Sequence, residues 1–196
     1  MRGSNLRRTD AVVLLGAAAL LGAGALAGCG NSMGPNTWLA IPDTATLYSL
    51  SRTDYVGKPS AYDFTPGTNG PVVVEAPGYT NRWDIAIVAG ANGLELAPAG
   101  TFEGVSATPA LTRITTAGDT FDNLATAPSD SKLYTDSTRL PAVEGGLYVV
   151  RTRQVSTCVY YAKFEVLSID QQAGTVRLVA MGDPYCNDRD LISPGS

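Results

Sequence analysis

Residues 147–181 read LYVVRTRQVSTCVYYAKFEVLSIDQQAGTVRLVAM. Leu147 to Arg153, Cys158 to Ile169 and Thr175 to Met181 are rich in β-branched and aromatic side chains, while Gln154 to Thr157 and Asp170 to Gly174 supply polar breaks. The stretch therefore predicts a three-stranded antiparallel meander. Setting Ile169 opposite Thr175 makes paired residue numbers sum to 344. That register lines up Val166 with Leu178, Phe164 with Ala180 and Ser168 with Val176 on one face, and sets Cys158 opposite Cys186.

Similar short segments continue toward the N-terminus. Thr46 to Leu50, Ala61 to Phe64, Val72 to Glu75, Trp83 to Val88, Leu94 to Leu96, Phe102 to Val105 and Leu111 to Thr115 read as strands, with Trp83, Ile85 and Ile87 expected on one face. Asn92-Gly93 tolerates positive φ and predicts a hairpin into Leu94 and Leu96. Only Asp119 to Ala125 reads as helical, for a turn or two, with Asp119 or Thr120 as N-cap and Phe121 and Leu124 spaced i, i+3. The fold class expected is all-β: an antiparallel single-domain sandwich or barrel-like fold with a C-terminal meander and at most one short helix.

Composition agrees with this. Of 196 residues, 44% are hydrophobic and only 16% charged, and 21 Gly and 12 Pro imply many turns. The chain contains no histidine, which removes Ser-His-Asp and Cys-His catalysis, His-ligated zinc and bis-histidine haem ligation.

The N-terminus reads as an address. Arg2, Arg7 and Arg8 precede an apolar run from Ala11 to Ala27 that closes on Leu26-Ala27-Gly28-Cys29, the order of a secretory signal peptide. The tetrad resembles a bacterial lipobox, which implies diacylglycerol on Cys29 and cleavage before it. A retained membrane helix is the competing reading, but the run is shorter than the roughly 20 residues needed to span. Arg7-Arg8 also suggests twin-arginine export, against which Thr9 and Asp10 stand where that signal turns apolar. Residues 1–28 are then the signal peptide, 29–37 a flexible tether containing Met33, and 38–196 a single β-rich domain. Gly30 after the cysteine, by resemblance to the enterobacterial sorting rule, points to the outer membrane. The expected partner of acylated Cys29 is the lipid bilayer. Cleavage removes three of 14 basic and one of 18 acidic residues, leaving 11 against 17 and a net charge near −6, which argues against nucleic-acid binding.

Export also decides the cysteines. With Cys29 lipidated, Cys158 and Cys186 are the remaining thiols, and an oxidising compartment predicts their disulfide. A redox pair is the alternative, but Cys-x-x-Cys spacing is absent. No nucleophile elbow, phosphate loop, dinucleotide fingerprint or EF-hand loop occurs, so no catalytic residue, metal site or cofactor is assigned. Paired carboxylates remain open to a hydrolase. Asp84, between Trp83 and Ile85 in an expected strand, is the acid expected to be partly buried, and its structural reading is a carboxylate held by Arg or backbone N–H on a sheet rim. Asn187-Asp188-Arg189-Asp190 offers oxygen donors for a hard cation, but Arg189 opposes one and a solvated tail is preferred.

Arg82-Trp83-Asp84-Ile85-Ala86-Ile87 with Asn92-Gly93, then Leu147-Tyr148-Val149-Val150-Arg151-Thr152 leading to Tyr161-Ala162-Lys163-Phe164-Glu165-Val166, resembles the HmuY-type haem-binding lipoproteins over about residues 60–180. The resemblance implies an all-β surface domain that sequesters haem or another flat apolar ligand. It carries over no iron ligand, because the histidines are missing. Met181, Tyr148 and Tyr161 are the ligand-contact candidates. The functional expectation is a membrane-anchored, non-catalytic binding module for a small hydrophobic ligand. The alternative is an assembly lipoprotein that binds another envelope protein.

Overall fold

The computed structural model describes residues 43–76, 81–116 and 118–192, all within one compact unit. The expected signal peptide, Cys29, the tether and Trp38 lie outside them. Ten strands form: β1 (Asp43–Tyr48), β2 (Ala61–Asp63), β3 (Gly70–Val72), β4 (Ile85–Gly90), β5 (Gly93–Pro98), β6 (Ala110–Ile114), β7 (Leu140–Pro141), β8 (Leu147–Arg151), β9 (Tyr161–Asp170) and β10 (Thr175–Gly182). They make two antiparallel five-stranded sheets, ordered β1-β10-β9-β8-β6 and β3-β2-β4-β5-β7. The fold is a β-sandwich, and its sheets do not close into a barrel.

The apolar residue at every second position of the strands fills the space between the sheets. Leu47, Tyr148, Val150, Ala162, Phe164, Val176 and Leu178 from the first sheet meet Tyr62, Ile85, Ile87, Leu94 and Leu96 from the second. The outer faces are covered too. Leu147 and Val149 pack beneath Phe121, Leu124, Ala127 and Leu191, and Ala61, Ala86 and Val72 pack with Trp83 and Ala99. Strand β8 is consequently buried on both faces from Leu147 to Val150, which is why its sequence is a continuous apolar run rather than an alternation.

The meander forms, and Val166–Leu178 and Phe164–Ala180 pair in the expected register. Ser168 does not meet Val176. The register shifts at Arg177/Leu178, so Ile169 pairs with Val176 and Leu167 is left as the extra residue on β9. A bulge re-phases the pleat by one residue. Here it lets Val166 and Ile169, three apart, both turn to the core, while Leu167 and Ser168 are exposed. The cysteines lie beyond the ladder: Asp183 N–H still donates to Tyr161 O at 2.9 Å, in the 344 register, and Cys158 and Cys186 are bonded with Cα atoms 5.0 Å apart.

Three further expectations are corrected. Trp83 does not share a face with Ile85 and Ile87, because β4 begins only at Ile85; the ring packs on the outer face of the second sheet, edge-on to Phe102 at 5.3 Å. Phe102 to Val105 is not a strand, since the chain turns through a 3-10 turn at Ala99–Thr101 just after Pro98. Asp119 to Ala125 is not a helix but a single turn. Thr120 and Asn123 cap each other's N–H, Leu124 N–H donates to Thr120 O, and the next carbonyl, Ala125 O, is taken by Leu191 N–H. Phe121 and Leu124 still bury one face, as their spacing requires. The β4–β5 hairpin forms as expected, but Gly90 and Gly93 close it, leaving Ala91-Asn92 as its two-residue loop.

Candidate functional site

One end of the sandwich opens into a cleft of about 390 Å³ to which both sheets contribute. The second sheet supplies Tyr62 on β2, Phe64 just after it, and Pro66, Gly67 and Asn69 from the turn into β3. The first sheet supplies Ala180, Met181 and Gly182 from the end of β10, with Pro184 beyond and Tyr160 just before β9. Gly67, at φ +83°, sits in the left-handed region that the turn requires. The floor is aromatic and continuous with the core: the ring centroids of Tyr62 and Phe64 are 4.6 Å apart, those of Phe64 and Phe164 5.5 Å, and those of Phe164 and Tyr148 5.0 Å. Tyr62 donates its hydroxyl to Asp43 Oδ2 at 2.8 Å.

Of the ligand candidates, Met181 lines this cleft and also packs beneath the outer cover of the first sheet. Tyr148 does not reach it. Its ring is wholly buried between the sheets and its hydroxyl donates to Pro141 O at 2.6 Å. Tyr161 lies on the outer face of the first sheet. The tyrosine that does line the cleft is its neighbour Tyr160, whose N–H donates to Thr152 Oγ1. Reading the strand from Cys158 hides this, because the ladder starts only at Tyr161 and the residue before it is free of the alternation.

Behind the cleft floor is a buried charge cluster. Arg153, just past β8, reaches across to the second sheet and grips Asp63 with both guanidinium nitrogens at 2.8 and 3.0 Å, while its Nη1 lies 3.3 Å from Asp84 Oδ1. Asp84 also accepts from Arg153 N–H and, through Oδ2, from Phe64 N–H. Asp63 accepts from Thr65 N–H and the Thr68 hydroxyl. All four carboxylate oxygens are therefore engaged. Asp84 is wholly buried, and burial pushes its carboxyl up to about 6 against the opposing pull of Arg153. The arrangement matches the expected role of Asp84 as a held carboxylate, and it ties the two sheets together at the cleft end. Neither Asp63 nor Asp84 is among the cleft-lining residues.

Asp183, between lining residues Gly182 and Pro184, is also fully buried. Its Oδ1 accepts from Tyr185 N–H, its Oδ2 has no partner, and burial pushes its carboxyl up to about 6. The Asn187–Asp190 segment is exposed or half-buried but ordered by local bonds: Asn187 Oδ1 accepts from Val159 N–H, Asp188 Oδ1 from Asp190 N–H, and Arg189 Nη1 donates to Ala127 O. Among the described residues, no group of three or more Asp, Glu or Cys side chains is placed to hold a metal ion.

The cleft, with its aromatic floor, is thus the candidate binding site, defined by its own geometry: no protein-family model, no curated protein and no solved structure matches this chain.

Proposed function

We propose that this protein is a lipid-anchored, non-catalytic binding module of the bacterial cell envelope that holds a small hydrophobic ligand in the cleft between its sheets. The observation that carries the reading is the cleft itself, whose volume of about 390 Å³ falls in the roughly 300–1,000 Å³ range of small-molecule sites. Its lining of aromatic, Pro and Met side chains, with Asn69 among them, is of the same kind. A lipid on Cys29 would keep such a module at the membrane, outer more than inner. The engaged oxygens of Asp63 and Asp84 favour this reading over a two-carboxylate hydrolase.

The assembly reading would use a sheet edge or an aromatic patch; the edge strands of the second sheet, three and two residues long and carrying Pro71 and Pro141, are poor templates for another chain, which leaves the first sheet's edges, β1 and β6, as its candidates. A likeness to HmuY-type lipoproteins stays a proposal at the level of fold. Met181 is the only methionine among the described residues, so a low-spin haem complex would have to depend on it. The test of the reading is native mass spectrometry of the protein purified from its own membranes. A retained small molecule, displaced when Tyr160 is replaced by Ala, is expected. A protein that carries nothing but co-purifies in fixed ratio with another envelope protein would overturn it.

A further inference from the structure

We infer that the cleft selects an organic cation, a weakly hydrated positive head group on an apolar or ring-bearing body. This rests on the cleft being a ligand site and adds the sign of the ligand's charge. None of the described lining residues is Asp, Glu, Lys or Arg, so among them no charged side chain meets a ligand directly and the surrounding charges set the field. Those are mostly negative. Asp43 accepts the hydroxyl of Tyr62, Asp63 sits between Tyr62 and Phe64, Asp84 holds the Phe64 N–H, and Asp183 sits between Gly182 and Pro184. Against these four carboxylates stands one bonded cation, Arg153. The nearby Lys163 points away, its amine donating to Leu124 O beneath the outer cover.

An anion entering such a cleft sheds water, meets no cation in the lining and faces excess negative charge behind it. A small inorganic cation finds no converging oxygen ligands, since no acidic cluster among the described residues is placed to hold a metal. An alkylated ammonium group sheds water easily, and rings such as Tyr62, Phe64 and Tyr160 attract it through their negative faces. The unpartnered Oδ2 of buried Asp183 is the least screened of the negative charges.

The test compares three ligands of one shape: 3-hydroxyphenyltrimethylammonium, its uncharged isostere 3-tert-butylphenol, and the anion 3-hydroxybenzenesulfonate. Each is titrated calorimetrically into the full chain in nanodiscs of neutral lipid, with empty discs subtracted. The cation is expected to bind on the order of tenfold tighter than the uncharged isostere, and the anion to give no binding heat. Asp43→Asn and Asp183→Asn should each narrow the cation-to-neutral ratio while leaving the uncharged isostere's affinity unchanged. Asp43→Asn, at a half-buried position, serves alone if Asp183→Asn does not fold. Tyr160→Ala should weaken the cation. If the uncharged isostere or the anion binds as tightly as the cation, or if Asp43→Asn leaves the ratio unchanged, the charge inference is overturned while the cleft stands as a binding site. Binding by none of the three removes both.

Discussion

Replacing Arg153 with Met keeps an unbranched apolar stem and removes the guanidinium that holds Asp63 and Asp84. The side chain of Arg153 is 11% exposed and those of its partners 1% and 0%, so the two carboxylates left behind cannot turn to solvent without opening the sandwich end. Unit charges about 4 Å apart interact by about 4 kcal/mol at an effective dielectric of roughly 20. Two such attractions vanish, and the repulsion between Asp63 and Asp84 is no longer offset. Breaking a buried pair by deleting one partner costs about 3–5 kcal/mol, and the variant should lose that much at pH 8. Without Arg153, Asp84 takes up a proton more readily still than in the parent, where its carboxyl stands at about 6. The variant therefore regains roughly 1.4 kcal/mol relative to the parent for each pH unit by which the Asp84 carboxyl rises further, and the deficit should shrink clearly at pH 5. Urea denaturation of parent and variant at the two pH values, followed by the fluorescence of buried Trp83, measures both effects. A loss below about 1 kcal/mol at pH 8, or an equal loss at both pH values, would refute the reasoning.

The unmutated protein should itself grow more stable as pH falls from 8 through 6 toward 4. The Asp84 carboxyl is raised from 3.8 to about 6, so its ionisation opposes folding above pH 6 and the folded state binds the extra proton below it. The gain is up to about 3 kcal/mol, Asp183 adds in the same direction, and Asp84→Asn should flatten the rise in urea midpoints between pH 8 and 5. The Cys158–Cys186 bridge spans 28 residues and should contribute about 3–4 kcal/mol. Non-reducing peptide mapping should recover both cysteines in one linked peptide, and Cys186→Ala should lower stability without abolishing the fold; free thiols at both positions would contradict the bridge. Cys29→Ala should abolish incorporation of a radiolabelled fatty acid, and label retained by that variant would remove the lipid-anchor reading.

What could be read along the chain were the properties that depend on near neighbours. The meander and the β4–β5 hairpin follow from alternation and from loops of a few residues, while Cys158 and Cys186 align because the bulge at Leu167 returns a ladder that starts with Thr175 opposite Asp170 to the sum of 344. The absence of histidine excluded whole classes of chemistry with no structure at all. Tertiary packing decided the rest. The bulge at Leu167 arises because the core has room for both Val166 and Ile169, a demand that no local rule expresses. Trp83 left the expected face because β4 started two residues later and Phe102, from the turn after β5, came to cover it. Arg153 meets Asp84 across 69 residues and Asp63 across 90. Which charge neutralises which carboxylate, and which of two adjacent tyrosines faces the cleft, depended on how one sheet settled on the other. Burial makes an unpaired charge costly wherever it falls, but only the packed sheets determine where that is.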